Sequence, residues 1–139
     1  MLGDLRAAGD GGDGEAMGVR ANVIKALDEV TAKIVKRRDL NRCQYCGRIS
    51  KYLDWAHIYT RGDKRLRWDL NNAVALCRPH HSKLDLSPRE KKAWFRDKFP
   101  DRAAYLDARR TVACQTVRTT ELKSLLRDYR ELLDKWEDA

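Results

Sequence analysis

The chain is 139 residues long, 36% charged and 42% hydrophobic, enough for one compact domain but not for two that each bury a full core. No run approaches the roughly 20 consecutive apolar residues of a membrane-spanning helix, so no membrane partner is expected. Net charge is +8, and its distribution says more than its total. Residues 1–18 carry Asp4, Asp10, Asp13 and Glu15 against Arg6 and hold six of the eight glycines, the composition of a disordered acidic tail. That stretch lacks the basic start and apolar run of a secretory signal, which points to a reducing, cytoplasmic setting where the four cysteines ligate metal rather than pair. Residues 36–96 hold 16 Lys or Arg against 6 Asp or Glu, whereas residues 97–139 hold nine of each sign. The positive excess coincides with every Cys and His except Cys114, which favours a phosphate-rich partner over a merely solvated face.

In chain order, Val23, Ile24, Leu27, Val30, Ile34 and Val35 recur at the spacing of one helical face and predict an N-terminal helix over 19–38. The stretch 41–86 differs: it has Cys, Gly, β-prone pieces at 49–53 and 55–59, and a basic loop around Arg61-Gly62-Asp63-Lys64-Arg65. It reads as two short antiparallel strands followed by a helix beginning near Pro79, a core too small to stand without a staple or flanking helices. Ser87-Pro88-Arg89-Glu90 is a capping-box start for a helix through about Lys98. After the break at Pro100, Asp101 is expected to cap another short helix. Leu122, Leu125, Leu126, Tyr129, Leu132, Leu133 and Trp136 then predict a last helix with Thr120 as N-cap. These stripes read as core packing. The fold class is therefore α+β, with the 41–86 core flanked by the 19–38 helix and by C-terminal helices over 87–139, in a single domain over 19–139.

Cys43-Gln44-Tyr45-Cys46-Gly47 is a Cys-x2-Cys turn followed by glycine, and Cys77-Arg78-Pro79-His80 repeats the two-residue gap thirty residues later. Three sulfurs and one imidazole make a closed tetrahedral site for a structural Zn2+. A redox role would need a βαβ context that the pattern lacks. Cys114 belongs to neither pair and reads as a buried thiol. His81 follows His80 directly, and neighbours on a helix point about 100° apart, so His81 faces away from the zinc. With His57 on the second predicted strand and Asn72 on the loop closing the unit, the chain interleaves a His, Asn, His series with the four ligands.

These residues, Cys43-x2-Cys46, Ala56-His57-Ile58, Asn72-Ala73-Val74-Ala75-Leu76-Cys77 and Cys77-x2-His80-His81, resemble the HNH endonucleases of the ββα-metal class in their zinc-carrying version. The stretch Leu66-Arg67-Trp68-Asp69 before Asn72 resembles HNH proteins encoded by phages. The resemblance covers about a third of the chain. It implies a small zinc-stapled ββα-metal core that hydrolyses DNA phosphodiester bonds. His57 matches the general base, and its imidazole suits the task near neutral pH. His81 matches a ligand of the catalytic divalent cation, Mg2+, Mn2+ or Ni2+, and Asn72 the asparagine that fixes the loop and the orientation of His57. Cys43, Cys46, Cys77 and His80 are then purely structural, His80 standing where many relatives have a fourth cysteine. Many relatives also carry an acidic metal ligand where this chain has Ala56. Asp54 lies on the same strand face, but roughly 6.6 Å along the strand, too far to substitute without a bulge.

Arg61, Lys64, Arg65 and Arg67 are the side chains expected against the DNA backbone, where contacts position without reading sequence. Trp55 and Trp68 are expected to cover the zinc core. Two other readings stay open: a non-catalytic, zinc-stabilised nucleic-acid-binding module, supported by Ala56, and a helical interaction protein that self-associates through the 122–136 stripe. Monomer and homodimer are both compatible with the sequence.

Overall fold

The structure, a computed structural model, describes residues 12–60, 63–111 and 116–138. Among the described residues, six helices and a two-stranded antiparallel sheet make the fold α+β. Contacts divide it into two compact units, one drawn from Met1–Val30 and Val117–Ala139 and the other Thr31–Thr116. No helix among the described residues is long and apolar enough to cross a membrane.

Helix α1 runs Gly12–Arg38, so residues 12–18, expected in the disordered tail, are helical. The face predicted over 19–38 bears the cost of nucleation, and extending an existing helix adds one hydrogen bond per residue fixed. Residues 1–11 of the expected tail lie outside the described residues. Within the first unit, Leu27 and Val30 of α1 and Leu122 and Leu126 of the last helix, α6 (Thr119–Asp138), are buried. Thr120 is inside α6 rather than its N-cap. Glu121 instead reaches back to accept from the Arg118 backbone N–H at 2.8 Å, and Leu122 N–H bonds Arg118 O at 3.0 Å, so the reciprocal half of a capping box starts this helix.

In the second unit, strand β1 (Asp54–His57) pairs antiparallel with β2 (Ala73–Leu76), with Asp54 opposite Leu76 and His57 opposite Ala73. This corrects the predicted strands at 49–53 and 55–59: β1 overlaps the second, and Ile49 forms only an isolated bridge to Arg42. The true partner was hidden because Ala73-Val74-Ala75-Leu76 is buried at all four positions and therefore shows no alternation. The other edge of β2 is covered rather than exposed. Ala75 N–H donates to the Asp39 carboxylate at 2.8 Å, and Ala75 O accepts from Gln44 N–H at 3.0 Å.

A one-turn helix α2 (Lys64–Arg67) and a 3-10 turn (Leu70–Asn72) lie between the strands, capped by the side chains of Asp63 and Asp69. Helix α3 (Arg78–Asp85) leaves β2 directly. Ser87 caps α4 (Pro88–Lys98) by accepting from Glu90 N–H, as the capping box predicts. Helix α5 (Pro100–Arg110) has Phe99, not Asp101, at its N-cap, because the chain turns straight from one helix into the next and leaves Asp101 in the first turn. The core of this unit gathers Leu53, Ala56, Ile58, Leu66, Val74, Leu76, Leu84, Phe95 and Leu106 around the sheet.

Candidate functional site

Two features share this unit: a sulfur-rich cluster on one part of the sheet and a cleft on another. The cluster forms where a knuckle after α1 meets the start of α3. Gly47, at φ +82, lets the knuckle close so that its N–H bonds Cys43 O at 2.8 Å, while Cys43 N–H bonds Arg48 O at 2.8 Å. The Gln44 bond to Ala75 ties the knuckle to β2. Cys77 stands at the N-cap of α3 without capping it through its side chain, and His80 follows one turn later. Cys46 Sγ lies 3.9 Å from Cys77 Sγ, and Cys77 Sγ lies 3.1 Å from His80 Nδ1.

The four ligand atoms of Cys43, Cys46, Cys77 and His80 all lie within 4.8 Å of one another, so this group could hold a metal ion. Ligands at 2.0–2.3 Å from one centre stand roughly 3.3–3.8 Å apart on a tetrahedron, and the three-sulfur, one-imidazole set suits zinc. Burial works to raise the Cys43 thiol, yet backbone N–H groups of Cys77, Cys46 and Tyr45 bring it down to about 6. Burial, with Cys43 and Cys46 as neighbours, pushes the Cys77 thiol up. Crowded sulfurs of this kind become thiolates together when a cation sits among them. Tyr45, with its ring 4.6 Å from His80 and 5.5 Å from Trp94, covers the cluster. The expected covers are elsewhere: Trp55 lies 4.3 Å from His57, and Trp68 is buried beneath Arg67. The strand pleat carries Trp55 to the His57 face, away from the cluster. Cys114 lies outside the described residues.

His57 and His81 line one cleft of about 610 Å3, together with Trp55, Tyr59, Asp63, Asp85, Lys91, Lys92 and Arg110. His57, the last residue of β1, has Nε2 3.0 Å from Arg67 O. That acceptor fixes the proton of the neutral ring on Nε2 and leaves the basic lone pair on Nδ1. Asn72 is fully buried and points to the main chain rather than into the cleft. Its Oδ1 accepts from Tyr59 N–H at 2.8 Å, and its Nδ2 donates to Tyr59 O at 3.1 Å and Leu66 O at 3.0 Å. Asn72 thus clamps the chain leaving His57 to α2, whose Arg67 carbonyl holds the His57 ring.

Ala56 is buried in the core, so an acid there would face apolar packing. The expectation that Asp54 is too distant fails: Asp54 Oδ2 lies 2.9 Å from His81 Nδ1 with no bulge in β1. The antiparallel register sets Asp54 opposite Leu76, two residues before α3 begins, so the helix itself brings His81 to Asp54. Asp85 Oδ2 lies 3.2 Å from His81 Nε2 on the next helical turn. Arg78 pairs with Asp54 at 2.7 Å and Lys91 with Asp85 at 2.7 Å, so each carboxylate that touches His81 also holds a basic side chain. Burial acts to raise the Asp54 carboxyl, but bonds from Arg78 and His81 hold it below the usual range. Carboxylates only accept, so a neutral imidazole, with one N–H, satisfies one of the two and leaves the other nitrogen for a cation.

The four basic residues singled out in the sequence have varied fates. Arg65 is bound to Asp63 at 2.9 Å and is partly shielded, Arg67 lies over Trp68 at 5.2 Å, and Lys64 opens α2. Arg61 lies outside the described residues. Sequence reasoning weighed Asp54 and set it aside, and it missed Asp85, Lys91, Lys92 and Arg110. The four-residue spacing of His81 and Asp85 was the one available signal, whereas the cations of α4 and α5 look like any solvated helix face. Comparison with protein-family models, curated proteins and solved structures finds no match.

Proposed function

We propose that this chain is a metal-dependent HNH-type endonuclease that hydrolyses DNA phosphodiester bonds, with a ββα-metal core stapled by zinc. The observation that carries the reading is that His57 and His81, the two histidines outside the sulfur cluster, line the same open cleft. His57 is the general base: its Nε2–H is anchored on Arg67 O, so Nδ1 takes the proton from the attacking water. Asn72 is a positioning residue that holds the Arg67 carbonyl segment in place through Leu66 O and Tyr59. His81 would hold the divalent cation, with the Asp54 and Asp85 carboxylates at its two nitrogens supplying the anionic charge that Ala56 does not. When bound, such an ion neutralises charge on the phosphate and on the leaving 3′ oxygen. Cys43, Cys46, Cys77 and His80 would hold Zn2+ and take no part in chemistry.

Incubation of supercoiled plasmid with the protein and Mg2+, Mn2+ or Ni2+ tests the reading. Nicking is expected with at least one metal, and His57→Ala should lower the rate about 10^2- to 10^4-fold. A His57→Ala protein that nicks like the parent would remove His57 from the mechanism. A second reading, a zinc-stabilised nucleic-acid-binding module without chemistry, is favoured by the two carboxylates already paired with His81. It predicts salt-sensitive binding and no cleavage with any of the three metals.

A further inference from the structure

We infer that Lys92 and Arg110 form a backbone-phosphate site on the wall of the cleft, at the ring of Tyr59, and that they position the DNA strand for the histidines. The inference rests on the nuclease reading for its substrate, but its geometry is independent of the HNH residues. Lys92 Nζ lies 5.0 Å from the Tyr59 ring centroid and Arg110 Cζ lies 4.2 Å from the same centroid, so the two charges stand no more than about 9 Å apart. Each strand of a duplex carries one phosphate per ~3.4 Å of axis, which puts one phosphate or two neighbours within reach of both. Tyr59 is buried and fixed, because its hydroxyl donates to Asp107 at 2.8 Å and its main chain is held by Asn72.

Charge accounting in the cleft singles out these two residues. Its acidic side chains are already engaged, Asp85 with Lys91 and Asp63 with Arg65. Asp107, beside the Tyr59 hydroxyl, pairs with Arg96 at 2.9 Å. Neither Lys92 nor Arg110 forms a direct ion pair among the described residues, although Arg110 bonds the Tyr59 hydroxyl and lies near enough to Asp63 and Asp107 to favour their charged forms, and both cations share the cleft with His57 and His81. A guanidinium has five N–H donors, so Arg110 can bond the Tyr59 hydroxyl and still offer donors to an anion, as can the ammonium of Lys92 over the ring face. The sequence reading gave the backbone to the loop around Arg61, whereas Arg65 of that loop is spent on Asp63.

The test is fluorescence anisotropy of a short labelled duplex with no Mg2+, Mn2+ or Ni2+ added and no chelator present, so that nothing is cut while the sulfur cluster keeps its metal, across a salt series. Compared proteins are the parent, Lys92→Gln with Arg110→Gln, Arg110→Lys, and Lys123→Gln on the exposed surface of α6 as a control for net charge. The double variant should weaken binding roughly tenfold and reduce the slope of log affinity against log salt by about two. Arg110→Lys should keep most of the affinity, and Lys123→Gln all of it. Millimolar inorganic phosphate that displaces the duplex from the parent with the same effect as from the double variant would overturn the site, as would an unchanged slope in the double variant. A parallel plasmid assay with Mg2+, Mn2+ and Ni2+ in turn separates the two ideas. Cleavage with unchanged KM in the double variant defeats this inference and leaves the nuclease reading standing. Parent binding that depends on Lys92 and Arg110 without any cleavage defeats the nuclease reading and leaves the phosphate site.

Discussion

Asn72 concentrates several tasks in one fully buried side chain: it satisfies three main-chain groups from two segments. Asn72→Ala orphans a buried N–H and two carbonyls, and each such loss costs about 1–3 kcal/mol before relaxation. A drop of roughly 2–4 kcal/mol in urea unfolding is expected. Asn72→Asp should not rescue it, because a carboxylate keeps the bond from Tyr59 N–H but turns an acceptor toward Tyr59 O and Leu66 O. That His57 and His81 lie near each other was legible from their place within the Cys43–His80 unit, whereas the burial of Asn72 on main-chain groups was not. Asp54 was misjudged because distance along a strand was used as a proxy for distance to His81. The contact is set by where α3 leaves the sheet, which follows from a register that local sequence does not encode.

At the scale of elements, the ends of helices carry the clearest tests. Helix α1 finishes with Asn41 N–H on Lys36 O at 2.9 Å and Leu40 N–H on Arg37 O at 3.0 Å, with Leu40 at φ +59. That is a Schellman closure with leucine at the position glycine usually takes. Leu40 is 75% exposed and packs against little, so Leu40→Gly should stabilise the protein by about 0.5–1 kcal/mol, the left-handed strain less the added unfolded-state entropy. Thermal melting that moves downward instead would show that the leucine side chain contributes. Asp63 tests the start of α2. Bonds from the Arg65 guanidinium hold its carboxyl below the usual 3.8, burial opposes this slightly, and the Arg65 N–H adds to the lowering. The folded state therefore binds the proton more weakly than the unfolded chain. The stability Asp63 contributes is present above about pH 4 and disappears as pH falls through the folded value. Asp63→Asn should keep the cap but flatten this acid limb in melts between pH 2 and 6, and Asp63→Ala should also lose about 1 kcal/mol at neutral pH. Helix periodicity and the Ser87 box were readable because they are local. Strand β2 was not, since burial on both faces erases the alternation that marks a strand.

For the molecule as a whole, the decisive question is what holds residues 31–116 together. Their sheet has two strands of four residues, and pairs of short strands are marginal in water without further support. Cys43 and Cys77 are themselves members of the apolar core, and the knuckle between Cys43 and Gly47 covers an edge of β2. Loss of a metal at this cluster would therefore free the sheet edge and open the core in one step. Structural zinc in small domains supplies about 10 kcal/mol or more of apparent folding free energy at neutral pH, comparable to the roughly 5–15 kcal/mol net stability of a whole domain. Purified protein should carry one zinc per chain by elemental analysis. Chelation should abolish the near-ultraviolet signal of Trp55, Trp68 and Trp94, all of which lie in this unit, and added zinc should restore it. Cys43→Ser should behave like the chelated protein, whereas Cys114→Ser should keep both metal and signal. A metal-free chain that retains its tryptophan signal and melts at the same temperature would mean that the apolar core suffices without a staple and that the close approach of the four ligand atoms serves some other end.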